Sequence, residues 1–159
     1  MSSNNKYIIQ AAGLGAIAGL RTTFAPAIAS HYLSRHPNAA ISNSKLSFIQ
    51  SPVTAIITKI LSAGEIVGDK LPTTPDRIAF PQILGRIGSG MFVGATIYKA
   101  NKQSLLTGAL VGGASALAAS FAAFYLRRYI DKLPHVKDAV TGAVEDVIAI
   151  GSGIALLSK

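Results

Sequence analysis

Apolar residues along the chain fall into five long blocks, separated by short stretches rich in proline, polar or basic residues. The blocks cover approximately residues 7–33, 46–69, 78–99, 103–127 and 137–158. A helix needs about 20 mainly apolar residues to cross the roughly 30 Å hydrocarbon core of a bilayer, and each block is long enough. The pattern therefore predicts an all-α chain that forms one transmembrane domain over residues 1–159, a polytopic membrane helix bundle of about five spans.

The fourth block has the strongest pattern of a membrane span. No residue between Gln103 and Leu126 is charged, and Arg127 and Arg128 follow directly, where basic residues anchor a span at the interface. The other four blocks contain ionisable residues, so they are predicted to span only if those residues are satisfied inside the protein.

The composition agrees with a membrane protein. Only 14% of the 159 residues are charged against about 25% in a typical globular protein. Half of the residues are apolar, which is a poor composition for covering the surface of a small soluble domain. Because the chain has no cysteine, disulfide frameworks, thiolate chemistry and cysteine-based metal sites are excluded.

Small residues recur at the four-residue spacing that brings membrane helices into close contact. A chain with 15 glycines produces some such pairs by chance, which is the simpler interpretation. The alternative is close helix packing, either within one protomer or across a homo-oligomer, for which we expect a dimer. The pairs that predict this packing are Gly15 with Gly19, Gly90 with Gly94, and Gly108 with Gly112.

Two stretches of the chain resemble later ones. Residues 15–33 align with residues 112–130, and residues 63–65 align with residues 143–145. The first two helices would then correspond to the last two, inverted by a central linking helix, as in many transporters. Chance similarity between alanine- and glycine-rich segments is the competing interpretation of this inverted repeat.

Several charges fall inside the apolar blocks. An arginine, lysine or aspartate at the centre of a membrane helix costs about 2.5–3.5 kcal/mol, so these groups must face one another, protein or water. One hypothesis is a lattice of salt bridges that fixes how the helices dock. The other is a polar core or transport path for an ion or proton, lined by Arg21, Glu65, Arg86, Glu145 and Asp146.

Further polar residues form a second group of candidates beside these charges. Pro26 closely follows Arg21, and a proline kink there would free backbone groups next to the deepest charge. The other secondary candidates are Thr22, Thr23, Asp69, Lys70 and Arg77.

The beginning of the chain allows one other interpretation. Lys6, the apolar run 7–20 and then Ala27-Ile28-Ala29 resemble a secretory signal with an A-x-A cleavage site. Arg21 interrupts the apolar run, which favours a retained helix over a cleaved signal.

The net charge of +8 predicts contact with anionic lipid headgroups and not with nucleic acid. Basic residues are spread singly, with no basic stripe interleaved with aromatic residues. With five spans, the side that holds the N-terminus carries more lysine and arginine, which favours a cytoplasmic N-terminus. We also expect no catalysis, metal or cofactor, because the histidines lie in or near loops without metal-ligand spacing.

Four motifs together resemble a known family. GLRTTFAP at 19–26, GEIVGDKLPTTPDR at 64–77, GRIGSG at 85–90 and VEDVIAIGSG at 144–153 occur in the order seen in the domain-of-unknown-function 4126 family. The resemblance covers roughly residues 15–158. It implies a small, multi-pass integral membrane protein of the bacterial inner membrane, and it attaches no activity, ligand or partner.

Two functions follow from these patterns. The first is a small channel or transporter for an ion, proton or small solute, working through the internal charges. The alternative is a structural or accessory membrane protein, a dimeric scaffold whose buried charges only lock the packing of its helices.

Overall fold

All regular secondary structure in the described part of the chain is helical. The computed structural model describes residues 3–68, 80–130 and 138–158, with side chains described over 5–68, 80–130 and 146–157. A 3-10 turn at Ser47–Gln50 accompanies seven α-helices: α1 Ser3–Leu20, α2 Phe24–Arg35, α3 Ala39–Ser42, α4 Pro52–Gly68, α5 Phe80–Ala100, α6 Leu105–Ile130 and α7 Asp138–Ser158. The all-α prediction is confirmed for these residues.

The block at 7–33 does not form the single helix that its hydropathy predicts. Helix α1 ends at Leu20, helix α2 begins at Phe24, and a turn of three residues separates them. Contacts at equal distances from this turn show that the two helices run in opposite directions. A side chain added at Gly153 of α7 would touch both Ile17 of α1 and Ile28 of α2.

The open ends of α1 and α2 confirm this antiparallel arrangement. The ring of Tyr7 in α1 packs edge-on against Tyr98 near the end of α5, with ring centroids 4.9 Å apart. Asn38, just beyond α2, donates from Nδ2 to the carbonyl of Ala100 at 3.1 Å, which is also at the end of α5. Helices α1 and α2 therefore form a hairpin whose tip is the turn 21–23.

Pro26 explains why the chain reverses instead of continuing. A proline inside a helix removes a backbone donor and its ring clashes with the carbonyl four residues earlier. In the structure Pro26 is the third residue of α2. In this first turn the helix provides no acceptor for backbone N–H groups, so the missing N–H of proline costs nothing. Instead of the predicted kink at Pro26, the chain reverses its direction in the turn 21–23, just before this proline.

The hairpin also contradicts the predicted inverted repeat. Residues 15–33 contain the turn, whereas their proposed counterpart 112–130 lies inside the uninterrupted helix α6. Similar composition produced the alignment, since both segments are rich in alanine and glycine. The two segments do not share a structure.

The hairpin tip lies beside the middle of the long helices. The Ser120 hydroxyl of α6 donates to the Gly19 carbonyl at the end of α1 at 3.0 Å. With a rise of 1.5 Å per residue, Ser120 is about 22 Å from the start of α6, and the whole helix is about 39 Å long. The hairpin therefore penetrates a little more than halfway along α6.

Helices α1, α5 and α6 pack through glycines. Side chains added at Gly15, Gly19, Gly90, Gly94, Gly108 or Gly112 would overlap backbone atoms of a neighbouring helix. The six glycines predicted to pack helices therefore lie at contacts within one protomer, where the absence of side chains lets backbones touch.

The remaining helices surround this core. Helix α4 packs along α2, and α7 packs along both arms of the hairpin. Among the described residues, one helix, Leu105–Ile130, has the length and mean hydropathy, 1.7, of a membrane span.

Candidate functional site

The hairpin tip creates a local electrostatic problem. A helix end leaves backbone carbonyls without partners, and a helix start leaves N–H groups without partners. The two ends carry partial negative and partial positive charge respectively. Here the end of α1 and the start of α2 meet at one turn, so both sets of groups must be satisfied in the same small volume.

Glu65 of α4 satisfies the start of α2. Its Oε1 accepts a hydrogen bond from the backbone N–H of Thr22 at 2.7 Å, and its Oε2 accepts from the backbone N–H of Thr23 at 2.8 Å. The Thr23 hydroxyl also donates to Oε2 at 2.5 Å. A carboxylate in this position complements the partial positive charge of the helix start.

Donors from α5 and α6 satisfy the end of α1. The Gly19 carbonyl accepts from Arg86 Nη1 at 2.8 Å and from the Ser120 hydroxyl at 3.0 Å. The Ser89 hydroxyl, one turn after Arg86, donates to the Thr22 carbonyl at 2.5 Å. Arg86 is only 2% exposed, so its positive charge acts on the carbonyls in a surrounding that excludes water.

Arg21, at the tip itself, pairs with Asp146 of α7. Arg21 Nε lies 2.7 Å from Asp146 Oδ1, and Nη2 lies 3.4 Å from Oδ2. Such a two-pronged pair holds the guanidinium in a fixed orientation. The Asp146 side chain is 17% exposed and the Arg21 side chain 6%, so the carboxylate is the more accessible partner.

Among the residues whose side chains are described, four charged residues meet here, and we call them the tip cluster: Arg21, Glu65, Arg86 and Asp146. Two positive and two negative groups come from the turn and from α4, α5 and α7. Each charge complements the group it touches, so removing one takes a favourable contact away from its partner.

The predicted site residues whose side chains are described come together at this tip. Four of the five principal candidates form the tip cluster, while the side chain of Glu145 in α7 lies outside the described residues. Thr22 and Thr23 contribute their N–H groups to Glu65, and Pro26 lies in the first turn of α2. Asp69, Lys70 and Arg77 lie outside the described residues.

Two contributors were not predicted, namely Ser89 and Ser120. The signal for Ser120 was its position in a stripe of small residues four apart on α6, made by Gly108, Gly112, Ala116 and Ser120. Ser89 is three residues after Arg86 and so shares its face of α5. Because Ser120 continues the stripe of small residues on α6, its hydroxyl could have been expected to reach the backbone of a neighbouring helix.

The described side chains of this site interact through hydrogen bonds and ion pairs. Within the described ranges, no group of three histidine, aspartate or glutamate side chains could hold a metal ion. The oxygens of Glu65 and Asp146 all have partners at the tip.

Comparison with known proteins identifies a family but no function. Residues 8–158 match the family described as "Domain of unknown function (DUF4126)". No curated protein and no solved structure matches the chain.

Proposed function

Because this chain belongs to the DUF4126 family, we propose that it is a multi-pass integral membrane protein of the bacterial inner membrane. We propose further that it forms a small channel or transporter for a proton, another small ion or a small solute, and that α2 and the tip of the hairpin are its moving part.

The surface of the helices supports the membrane location. Monomeric soluble proteins rarely expose apolar patches larger than a few hundred Å². Here Arg21 and Arg86 are buried while large aliphatic residues are exposed. On α4 alone the exposed aliphatic residues are Val53, Ile56, Ile57, Ile60, Leu61 and Val67.

In the proposed arrangement, α4, α5, α6 and α7 cross the bilayer and the α1–α2 hairpin enters it from one face and returns. Non-helical backbone at membrane depth is tolerated where protein or a water-filled cavity surrounds it. The contacts of the tip cluster supply such surroundings. The start of α1, the segment after α2 and the end of α7 then share one side.

We propose a cytoplasmic position for that side, including the N-terminus. The five-span count of lysine and arginine no longer applies, because the hairpin brings the loops after α2 and α5 to this side. In the sequence no acidic residue precedes Glu65. The described residues at the open end of the hairpin and the neighbouring loop carry only positive charges, at Lys6, Arg35, Lys45, Lys99 and Lys102. Basic segments of this kind favour the cytoplasmic leaflet and its anionic lipids.

One observation carries the transport proposal: the chain reverses midway along the bundle, and its reversal is held by ionisable side chains from three other helices. Ionisable groups at this depth mark ion paths and proton relays in membrane proteins. Protonation of Asp146 would weaken its hold on Arg21, and protonation of Glu65 would weaken its hold on the start of α2. We propose that these two events release the tip and open a polar path.

Flux through purified protein in proteoliposomes tests this proposal. A pH-sensitive dye inside the vesicles reports proton movement after a pH jump, with and without added potassium and chloride gradients. The wild-type protein is expected to conduct, and Asp146→Asn is expected to change the rate at least severalfold while the protein stays folded. Ser152→Ala, at an exposed position of α7, is the matched control.

Absence of flux with the wild-type protein, with all of these gradients, would contradict the transport proposal. A change in Ser152→Ala as large as in Asp146→Asn would contradict the role of the tip.

The alternative function is a dimeric scaffold whose charges only lock the helices. It is favoured by the burial of the tip cluster, since Arg21 is 5% and Arg86 2% exposed and both are held by direct contacts. The exposed aliphatic face of α4 would supply the dimer contact. Under this alternative the wild-type protein gives no flux and Asp146→Asn dissociates the oligomer, whereas a lowered melting temperature is expected under both functions. In neither case do we expect catalysis.

A further inference from the structure

A separate cavity lies between α2, α4 and α7, and the tip cluster does not line it. Its volume is ≈ 560 Å³, within the range of about 300–1,000 Å³ typical of small-molecule sites. Most of its wall is apolar, formed chiefly by Phe24, Ala27, Ile28, Ile66, Ile150 and Ile154. We call this cavity the α2–α4 groove.

One end of the α2–α4 groove is basic. His31, Arg35, His36 and Lys59 line it there. Lys59 Nζ donates to His31 Nδ1 at 2.8 Å, which fixes the ammonium group beside the cavity. The described lining contains no carboxylate. The positive charge at this end is therefore not neutralised by the residues that form the groove.

The shape of the groove matches a long amphiphile. From Phe24 to Arg35 the wall extends about 16 Å along α2, at 1.5 Å per residue. An apolar tail would lie against the aliphatic wall, and an anionic head would meet the basic end.

The position of the basic end agrees with a lipid headgroup. Helix α2 ends near Asn38, which contacts the end of α5 at the open end of the hairpin. In the proposed membrane arrangement this is the side that carries the basic loops, at the level of the headgroups. Anionic headgroups add about 1 kcal/mol of attraction for each nearby lysine or arginine.

We propose that the α2–α4 groove holds one acyl chain of an anionic phospholipid from the surrounding bilayer, with its phosphate against Arg35, Lys59 and His31. The inference rests on the proposed membrane location but not on transport. Because the lipid bridges α2 and α4, it would hold the hairpin arm that carries the tip against its neighbour.

Native mass spectrometry of delipidated protein in non-ionic detergent tests the proposal. The probes are phosphatidylglycerol and phosphatidylcholine with the same acyl chains, and free palmitate as a third arm. We expect the wild-type protein to retain phosphatidylglycerol in preference to the other two. The double variant Arg35→Gln/Lys59→Gln should bind it about tenfold more weakly or worse, from the loss of two charges.

Two further variants separate the groove from the general charge of this face. Lys45→Gln/Lys102→Gln removes two exposed charges from the same side outside the groove and should bind like wild type. Ala63→Trp places a large ring in the groove and should abolish retention of phosphatidylglycerol, with folding checked by circular dichroism. If that variant does not fold, the charge variants decide alone.

Equal retention of the two phospholipids, preference for palmitate, or equal losses in the two double variants would overturn the proposal. Failure of wild-type protein to retain any lipid would do so as well. None of these results depends on flux. A protein that conducts but retains no lipid, or the reverse, would therefore distinguish this inference from the transport proposal.

Discussion

Two halves of the molecule are built in different ways. In the first half, α1, α5 and α6 touch through glycines, and their backbones lie in direct contact. In the second half, α2, α4 and α7 meet through larger side chains and enclose the α2–α4 groove. Close backbone contact leaves no room for rearrangement, whereas a cavity between flexible side chains does. The comparison indicates a rigid core against which the α2 arm and its tip can move.

Enlarging a core glycine should have the largest effect. A side chain on Gly112 would overlap backbone atoms of both Gly90 and Gly94, so Gly112→Leu cannot be accommodated without separating α5 from α6. Overpacking typically costs about 1–3 kcal/mol and more where backbone must move. We expect loss of the monodisperse folded peak in size-exclusion chromatography.

The control for this prediction is Gly64→Leu, because nothing lies within 4 Å of a side chain added at Gly64 in α4. It should leave the elution profile and melting temperature close to those of the wild type. Folded Gly112→Leu protein with an unchanged melting temperature would refute the rigid core.

Breaking the ion pair at the tip should have the next largest effect. Arg21→Gln leaves the partly buried carboxylate of Asp146 without this cation, and loss of one partner of a buried pair costs about 3–5 kcal/mol. Asp146→Asn alone removes the carboxylate charge that the Arg21 guanidinium faces. Thermal unfolding of both single variants and of the double variant gives the coupling energy between the two residues.

The double variant should be less destabilised than the sum of the two single variants. Additive losses would show that Arg21 and Asp146 do not act as a pair.

Glu65→Gln should cost less, about 1–2 kcal/mol. The amide keeps one acceptor oxygen for the backbone N–H groups of Thr22 and Thr23 but loses the charge that complements the helix start. Thr54→Ala on the same helix, away from the tip, is the comparison. Equal melting temperatures for the two variants would contradict the role of Glu65 as the cap of α2.

The smallest effect is expected at Gly153 of α7. A side chain there would meet the ends of Ile28 and Ile17, which can move, and not a backbone. Gly153→Ala should therefore change the melting temperature by only a few degrees, far less than Gly112→Ala. If Gly153→Ala and Gly112→Ala lowered the melting temperature equally, the glycine-packed half would not be more rigid than the half that encloses the α2–α4 groove.

The gathering of charges at one place could be predicted from the sequence because of its energetic cost. Arg21, Glu65, Arg86 and Asp146 are too costly in isolation among apolar residues, so they had to meet. The identity of their partners could not be predicted, since two of the charges bind backbone groups and not each other.

The hairpin could not be predicted from hydropathy. A helix that crosses the bilayer once and a hairpin that enters and returns both require an apolar segment. The length and composition of residues 7–33 therefore do not distinguish the two structures. Pro26 was the one local indication, because a proline fits the first turn of a helix better than its interior. The reversal also depends on Glu65, which is distant in sequence, and no local pattern encodes that contact.

The central claim is that residues 7–33 form a hairpin that enters and leaves the membrane on the same side. The most direct test is to locate the two open ends of this hairpin. The chain has no cysteine, so Asn5→Cys and Asn43→Cys each place a single thiol, one in the first turn of α1 and one after α2. A membrane-impermeant maleimide applied to intact cells and to inverted membrane vesicles reports the side on which each thiol lies. The hairpin predicts that both thiols are labelled from the same side. Labelling from opposite sides would mean that residues 7–33 cross the bilayer once, which would contradict the account.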